Sequence, residues 1–520
     1  MSLRMLFTTL LAGAILATTA LGEAKPLTIL YVPLDNRPVN TTYVQQTMEA
    51  AGCRVILPPD KLIASHLDAG RPDALWSWLT DKAPKADAAV ISTDALIYGG
   101  LVASRTHNLS ERLLTQRVNR LNELERSLPL SLYVFSTIMR TPRVSKGKVE
   151  PAYYDTYGPQ IFAYSEWADR ADQHPLRFGE QIEMSFARQA VPEEFLEDWL
   201  VRRQKNFHVN EELLKLSKRH KFHFLAIGKD DNAVLSHTHM EAKHISRNGF
   251  NLPKKDFAVI DGVDQLGLLL MVRAYNEANG LNPAIYPLYS EGAGQGTLPQ
   301  YSDARFQDSV PQQILASGGR VAKSANEADF LLAINSPDDG IVQDATAKSN
   351  KYYASMPNKR YIAKLMNLAQ SGHKLSLADV SYSNGGDNGF MHNFALAGGL
   401  EQLIAYNAWN TADNVIGYAI AQGTLALTTP APKLKKLIRQ RLIDDWFYQS
   451  NARNRLTEKF SKLTREDLKY SLGKENGTTA AEAAQICTAL CNRYSYTKGC
   501  SFTLTYPWDR LFDVEINIKK

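Results

Sequence analysis

The chain has 520 residues, 44% of them hydrophobic, and a formal net charge of +5 from 59 basic and 54 acidic side chains. So small an excess, spread along the chain, argues against the clustered basic face that nucleic-acid binding requires. The length exceeds one ordinary core, so more than one domain is expected, large barrels being the exception.

Residues 1–22 have the anatomy of a secretory signal: Arg4, an apolar stretch from Met5 to Leu21, and Ala20-Leu21-Gly22 as a small-x-small cleavage site. No cysteine stands at the cleavage point. A periplasmic or secreted protein with no stable membrane anchor after cleavage is therefore expected, and no later stretch is long and apolar enough to span a bilayer.

Leu27 to Pro33 reads as a first strand, ending in Leu34-Asp35-Asn36-Arg37-Pro38-Val39-Asn40, with Asn40 or Thr41 able to cap a helix. Asp35 and Arg37 at a strand end suit an anion or a polyol, or equally an internal ion pair. Cys53 to Leu57 and Asp87 to Ser92 are the next strands. The latter runs into a loop from Thr93 to Arg105 carrying Asp94, Tyr98, Gly99, Gly100, Ser104 and Arg105, read as a substrate loop with a tight packing turn as the rival.

Leu132 to Ser136 is followed by Arg140 and a long Tyr-, Pro- and Gly-rich segment to about Gly179, of the length typical of lids and binding segments. Its Tyr153, Tyr154, Tyr157 and Trp167 are either sugar-stacking groups or, more commonly, packing groups. After a helix from Glu193 to Lys218, the apolar run Phe222 to Ile227 delivers Asp230 and Asp231, where open α/β sheets bind ligands. Ser236 to Ser246 then reads as a helix bearing His237, His239, Glu241 and His244.

In the second half, Phe257 to Ile260 ends in Asp261-Gly262-Val263-Asp264-Gln265, and Ala284 to Tyr289 ends in Ser290-Glu291. Ser317-Gly318-Gly319-Arg320-Val321 and Ala328-Asp329-Phe330-Leu331-Leu332-Ala333-Ile334 faintly echo Ala51-Gly52-Cys53-Arg54-Val55 and Ala86-Asp87-Ala88-Ala89-Val90-Ile91, which favours two similar units. Leu375 to Val380 leads to Asp387 in a glycine turn. Trp409, Asn410 and Thr411 open a helix in which Gly417, Ala421 and Thr424 form a ridge of small residues. From about Thr429 the chain is basic and helical, ending in strand-like segments at 501–506 and 511–518. This part reads as a closing module outside the chemistry, and within it Cys500 is expected to pair with Cys487 or Cys491.

These elements predict an α/β protein of two doubly wound, Rossmann-like parallel-sheet units at 23–250 and 251–428, with a mainly helical module at 429–520. A single (β/α)8 barrel is the alternative.

The runs Tyr31 to Asn40, Asp94 to Arg105, Gly228-x-Asp230-Asp231, Asn384-Gly385-Gly386-Asp387, Trp409-Asn410-Thr411-x-x-Asn414 and Pro507-Trp508-Asp509-Arg510 together resemble a bacterial family catalogued as domain of unknown function 4127. The resemblance implies that these loops form one constellation, and it brings no activity with it. The family pattern resembles Asp-Asp-Arg-Pro where this chain has Asp35-Asn36-Arg37-Pro38, and it has an acidic residue where Gln265 stands. Its hallmark is similar to Glu241 rather than to the histidines.

Carboxylates at so many strand ends, beside Arg37, Arg105 and Arg140, point to a hydrolase acting on a carbohydrate or cell-envelope glycan. Asp230 and Asp231 are the catalytic candidates, with Asp94 or Glu291 as partner. Asp35, Asn36, Arg37, Tyr98, Arg105, Arg140, Asp387, Trp409 and Asn410 are the candidate binding residues. No cofactor is expected, the minority variant being a divalent metal on Asp230, His237 and His239. The alternative from another class is a two-lobed, non-catalytic protein that binds a small solute or glycan.

Overall fold

The computed structural model describes residues 27–127 and 130–519, so the signal-like segment 1–22 lies outside the described residues. In chain order the strands of the first half are β1 (Thr28–Val32), β2 (Arg54–Ile56), β3 (Ala88–Ser92), β4 (Ser131–Ile138), β5 (Phe224–Lys229) and β6 (Phe257–Asp261). Those that follow are β7 (Ala284–Tyr289), β8 (Arg320–Val321), β9 (Phe330–Asn335), β10 (Gln343–Asp344), β11 (Leu375–Asp379), β12 (Tyr382–Ser383), β13 (Leu403–Asn407), β14 (Phe502–Thr505) and β15 (Glu515–Ile518).

Two open parallel sheets result, with orders β2-β1-β3-β4-β5-β6 and β13-β11-β9-β7-β8. The expectation of two doubly wound α/β units is met, and the barrel alternative is excluded because both sheets end in unpaired edges. Counted from its own first strand, the second sheet has the order 2-1-3-4-5, the same as the first five strands of the first sheet. The faint sequence echo falls on equivalent strands, β2 with β8 and β3 with β9. The backbone repeats it as well. Thr28 N–H donates to Asp87 Oδ2 at 2.9 Å, and Ala284 N–H donates to Asp329 Oδ2 at 2.7 Å. Arg54 N–H and Arg320 N–H donate to the carbonyls of Leu27 and Pro283, both at 2.9 Å.

Strand β6 pairs with β5 from Leu225↔Phe257 onward, so the first sheet runs past residue 250, where the sequence had placed a boundary. The reason is the helix His237–Asn248, which returns the chain alongside β5 in an ordinary parallel crossover.

Buried parallel strands show unbroken apolar runs, as in β3, every residue of which is buried. The helices Leu266–Ala278 and Ala412–Ala426 are apolar on nearly all sides and pack between the sheets, joining them through one continuous core. The small-residue ridge permits this. A side chain in place of Gly417 would collide with Gln265 and Gln313.

The C-terminal module covers the outer face of the second sheet. It also reaches the first unit, where Tyr43 Oη donates to Asp444 at 2.9 Å and accepts from Ile516 N–H at 2.8 Å. The expected disulfide is not formed: Cys487, Cys491 and Cys500 are free and buried, as is Cys53, and behave as small apolar side chains.

Candidate functional site

Loops leaving the C-terminal ends of both sheets meet at a cavity of about 370 Å³. Arg37 comes from the loop after β1, Arg105 from the short helix after β3, Arg140 from beyond β4, and Lys229, Asp230 and Asp231 from the end of β5. Gly262 and Asp264 follow β6, while Asn410, Asp413 and Asn414 follow β13. This is the crevice in which doubly wound sheets hold ligands.

Each turn has a local cause. Gly262 adopts φ 83°, and a Cβ there would lie 2.6 Å from Asn414 Oδ1. Glycine thus lets the loop after β6 press against Asn414, whose Oδ1 accepts from the N–H groups of Val263 and Asp264 at 3.1 and 3.2 Å. Asn414 Nδ2 in turn donates to Asn410 Oδ1 at 2.6 Å.

Arg37 ties the units together. Its guanidinium donates to both oxygens of Asp35 at 2.8–3.0 Å and to both oxygens of Asp264 at 2.6 and 3.1 Å. Asp264 also accepts from Asn410 Nδ2 at 3.1 Å, so a loop of the second sheet is fastened to two loops of the first. Burial pushes the Asp264 carboxyl up and Arg37 opposes it.

Asp230 and Asp231 are also arginine-paired. Arg105 donates to Asp230 Oδ2 at 3.0 and 2.5 Å, and Arg140 donates to Asp231 Oδ2 at 2.6 Å and to Glu150 at 2.6 Å. Asp231 keeps a 23% exposed side chain, so an incoming ligand can reach it.

Asp413 is different. It lines the cavity at 3% exposure, and among the described residues it forms no ion pair and its Oδ1 has no hydrogen-bond partner. Burial raises its carboxyl to about 6, with Lys229 and the hydroxyls of Ser302 and Ser309 opposing. Behind it lies Lys229, 2.7 Å from Asp261 and also paired with Asp303. Burial works against the lysine charge, yet the two carboxylates hold its pKa above the ordinary value. Burial also pushes Asp261 up against the pull of Lys229.

The walls are partly aromatic. Tyr301, Tyr470, Trp508 and Phe512 line the cavity, and Trp508 stands between the guanidinium groups of Arg37 and Arg510, 5.1 and 4.9 Å from its ring centroid. The C-terminal module therefore contributes to the site, contrary to its reading as a closing piece. Trp508 Nε1 donates to Asn36 Oδ1 at 2.6 Å, which is what carries the Pro507 to Arg510 turn over to the first unit.

Of the sequence-derived candidates, Arg37, Arg105, Arg140, Asp230, Asp231 and Asn410 line the cavity. Asp35 and Asn36 stand one layer back, holding Arg37 and Trp508. Asp94 is 1% exposed, accepts from Thr137 Oγ1 at 2.7 Å and Thr137 N–H at 3.1 Å, and is raised by burial to about 7.

Other candidates lie elsewhere. Tyr98 stacks on His107 at 4.8 Å and Trp409 packs on Phe512 at 5.2 Å, both buried, because their apolar faces outweigh their polar tips. Glu291 is a surface residue paired with Arg360 at 2.5 Å, both side chains about half exposed. Asp387 lines a second cavity.

The long aromatic segment is not a loop: Tyr154–Gln173 and Phe178–Gln189 are helices. Tyr153 and Tyr157 pack on Phe195, away from the cavity, to which the segment sends only its first part, such as Ser145 and Val149.

The proposed metal ligands are separated by other partners. His237 Nδ1 meets Ser165 Oγ at 2.9 Å, His239 Nδ1 meets Asp169 at 2.6 Å, and Asp230 belongs to Arg105. Among the described residues, no group of three or more His, Cys, Asp or Glu side chains is placed to hold a metal ion.

The sequence does not single out Asp413, Asp264, Lys229, Trp508 and Arg510 as site residues, although each lies within a quoted run, and the resemblance implies that the run Pro507 to Arg510 joins the constellation.

Fold and site together define a tandem doubly wound α/β protein with one ligand-sized crevice shared by its strand-end loops. The chain belongs to the DUF4127 family of proteins of unknown function, whose profile matches residues 29–517. No curated protein matches it.

Proposed function

We propose that this protein is an exported hydrolase that cleaves a carbohydrate or cell-envelope glycan in the shared cavity. Asp413 serves as proton donor, and Asp230 or Asp231 as base or nucleophile. The observation that carries this reading is the contrast between Asp413, with no ion pair among the described residues and raised to about 6, and the arginine-paired Asp230 and Asp231 in the same cavity. A carboxyl raised above its ordinary range beside carboxyls paired with cations is the division of labour that glycosidic cleavage uses. The exposed ring of Tyr301 supports a sugar ligand, which stacks on such a face while its hydroxyls meet the arginines and asparagines. Export rests on the residue pattern at 1–22. The scattered charge speaks against nucleic acid as the partner, and a glycan or small molecule is the partner proposed.

The test is release of reducing ends from envelope glycan fragments by the purified chain. Asp413→Asn should lower the rate by about 10²–10⁴-fold while fragment binding persists. An active parent whose Asp413→Asn form keeps full rate contradicts the assignment.

One observation favours a second reading, a non-catalytic binding protein. Asp230, Asp231 and Asp264 are each fixed by an arginine, an arrangement that also suits rigid recognition of hydroxyl groups. Binding of glycan without any turnover by the parent would select it.

A further inference from the structure

Most of the positive charge lining the shared cavity is already committed. Arg37 is forked onto Asp35 and Asp264, Arg105 gives Nε and Nη2 to Asp230, Lys229 sits between Asp261 and Asp303, and Arg140 divides its donors among Glu150, Asp231 and Ser145.

Two cations of the same cavity are not. Arg510 gives Nε to Asp513, and among the described residues its Nη1 and Nη2 have no hydrogen-bond partner. Lys146 is exposed and, among the described residues, has no ion pair. The chain beside Lys146 adjoins the guanidinium, since a Cβ on Gly147 would stand 3.7 Å from Arg510 Nη1.

On the glycan reading above, on which this rests, we propose that Arg510, with Lys146 at the same end of the cavity, receives a carboxylate carried by the substrate, which is therefore an acidic glycan.

The geometry of the guanidinium favours such a partner. Its Nη1–Nη2 edge presents parallel donors that match the two oxygens of a carboxylate, while Asp513 occupies only the Nε side. The group is also fixed before any ligand arrives. It lies 4.9 Å from the Trp508 ring centroid and 5.7 Å from that of Phe512, with its side chain 11% exposed. Trp508 is itself clamped, by its bond to Asn36 and by His66, which stacks on it at 5.4 Å. Asp509 secures the turn from another side, accepting from Gly473 N–H at 2.9 Å and from Asn476 Nδ2 at 2.7 Å. Little ordering entropy therefore remains to be lost on binding.

The same cavity selects a carboxylate over a phosphate. Asp230, Asp231, Asp264 and Asp413 line it, and they repel the more highly charged phosphate more strongly.

The test measures binding of disaccharides to the full mature chain by titration calorimetry. N-Acetylglucosaminyl-N-acetylmuramic acid and a disaccharide ending in glucuronic acid are each compared with the same molecule carrying an amide in place of the carboxylate, which removes the charge and keeps the shape. At least one acid should bind about ten-fold or more tightly than its amide, as a forked charge-assisted contact provides, and the pair that shows it identifies where on the sugar the carboxylate sits. Arg510→Gln should bring that preference to within about two-fold of unity. If this variant does not fold, Lys146→Glu, a change at an exposed side chain, should cut the preference by about five-fold. Acids and amides that bind equally well overturn the proposal and leave the glycan reading standing, as does a preference that the folded variant leaves unchanged. Absence of binding by all of these disaccharides overturns both.

Discussion

Replacing Arg37 by Leu is the sharpest perturbation of the shared crevice. Among the described residues the guanidinium is the one group that hydrogen-bonds to both Asp35 and Asp264, which are 0% and 4% exposed. Leu fills much of the same space and leaves both carboxylates without their cation. Asp35 would keep Asn40 Nδ2 at 2.8 Å, and Asp264 would keep Asn410 Nδ2. Breaking a buried pair by removing one partner costs about 3–5 kcal/mol, and two stranded carboxylates place this case at the upper end. Arg37→Lys retains the charge but cannot fork to both acids, so a loss of about 1.5–3 kcal/mol is expected, the worth of a hydrogen bond to a charged group. The penalty for Leu should shrink as pH falls, because protonation removes the stranded charges. Guanidinium unfolding at pH 8 and pH 4.5, followed by tryptophan fluorescence with Trp508 beside the site, measures this. A loss below about 1 kcal/mol at pH 8, or one equal at both pH values, would refute the reasoning.

Other outcomes follow from the same geometry. Asp94 has a folded-state pKa of about 7 against an ordinary 3.8, so the stability its protonated form contributes is complete below about pH 3.8 and is lost as pH rises through 7. Asp94→Asn should therefore flatten the pH dependence of unfolding between 4 and 8, whereas an unchanged profile would contradict the burial argument. Under the proposed mechanism, turnover should decline as pH rises through about 6, as Asp413 loses its proton, and a rate that climbs across that range would count against Asp413 as donor. Gly262→Ala forces a Cβ against Asn414 at a φ of 83° and should cost about 1–3 kcal/mol and weaken ligand binding, as calorimetry would report. Glu291→Gln alters a half-exposed surface pair and should change stability by less than about 0.5 kcal/mol and leave turnover intact.

Much of the fold was legible because its strands are short apolar runs that stop at loops with Asp, Gly or Asn, as Phe224–Lys229 does before Asp230. The faint duplication was also meaningful. Asp87 and Asp329 perform the same backbone capping in the two sheets, so the local sequence had a physical reason to recur. At the site, Arg105, Arg140, Asp230 and Asp231 could be found from strand ends alone. Glu291 follows a strand in the same way, yet its pairing with Arg360 on the surface depends on the helix Met356–Gln370, 69 residues downstream. Trp508 was hidden for the opposite reason. Its hydrogen bond to Asn36 spans 472 residues, so only the family resemblance of Pro507 to Arg510, and no local chemistry, pointed to it. The aromatic segment after Arg140 misled because its Pro159 lies inside a helix, where a residue without an N–H to donate to the preceding turn is unusual.

The proposed activity requires loops of both sheets and the C-terminal turn to form one ligand site. A crystal structure of the mature chain soaked with a cell-envelope glycan fragment tests this most directly. The fragment is predicted to lie between Trp508 and Asp413, with Asp230, Asp231 and Arg140 in contact. A fragment bound elsewhere, or a cavity from which Asp413 or Trp508 is turned away, would contradict it.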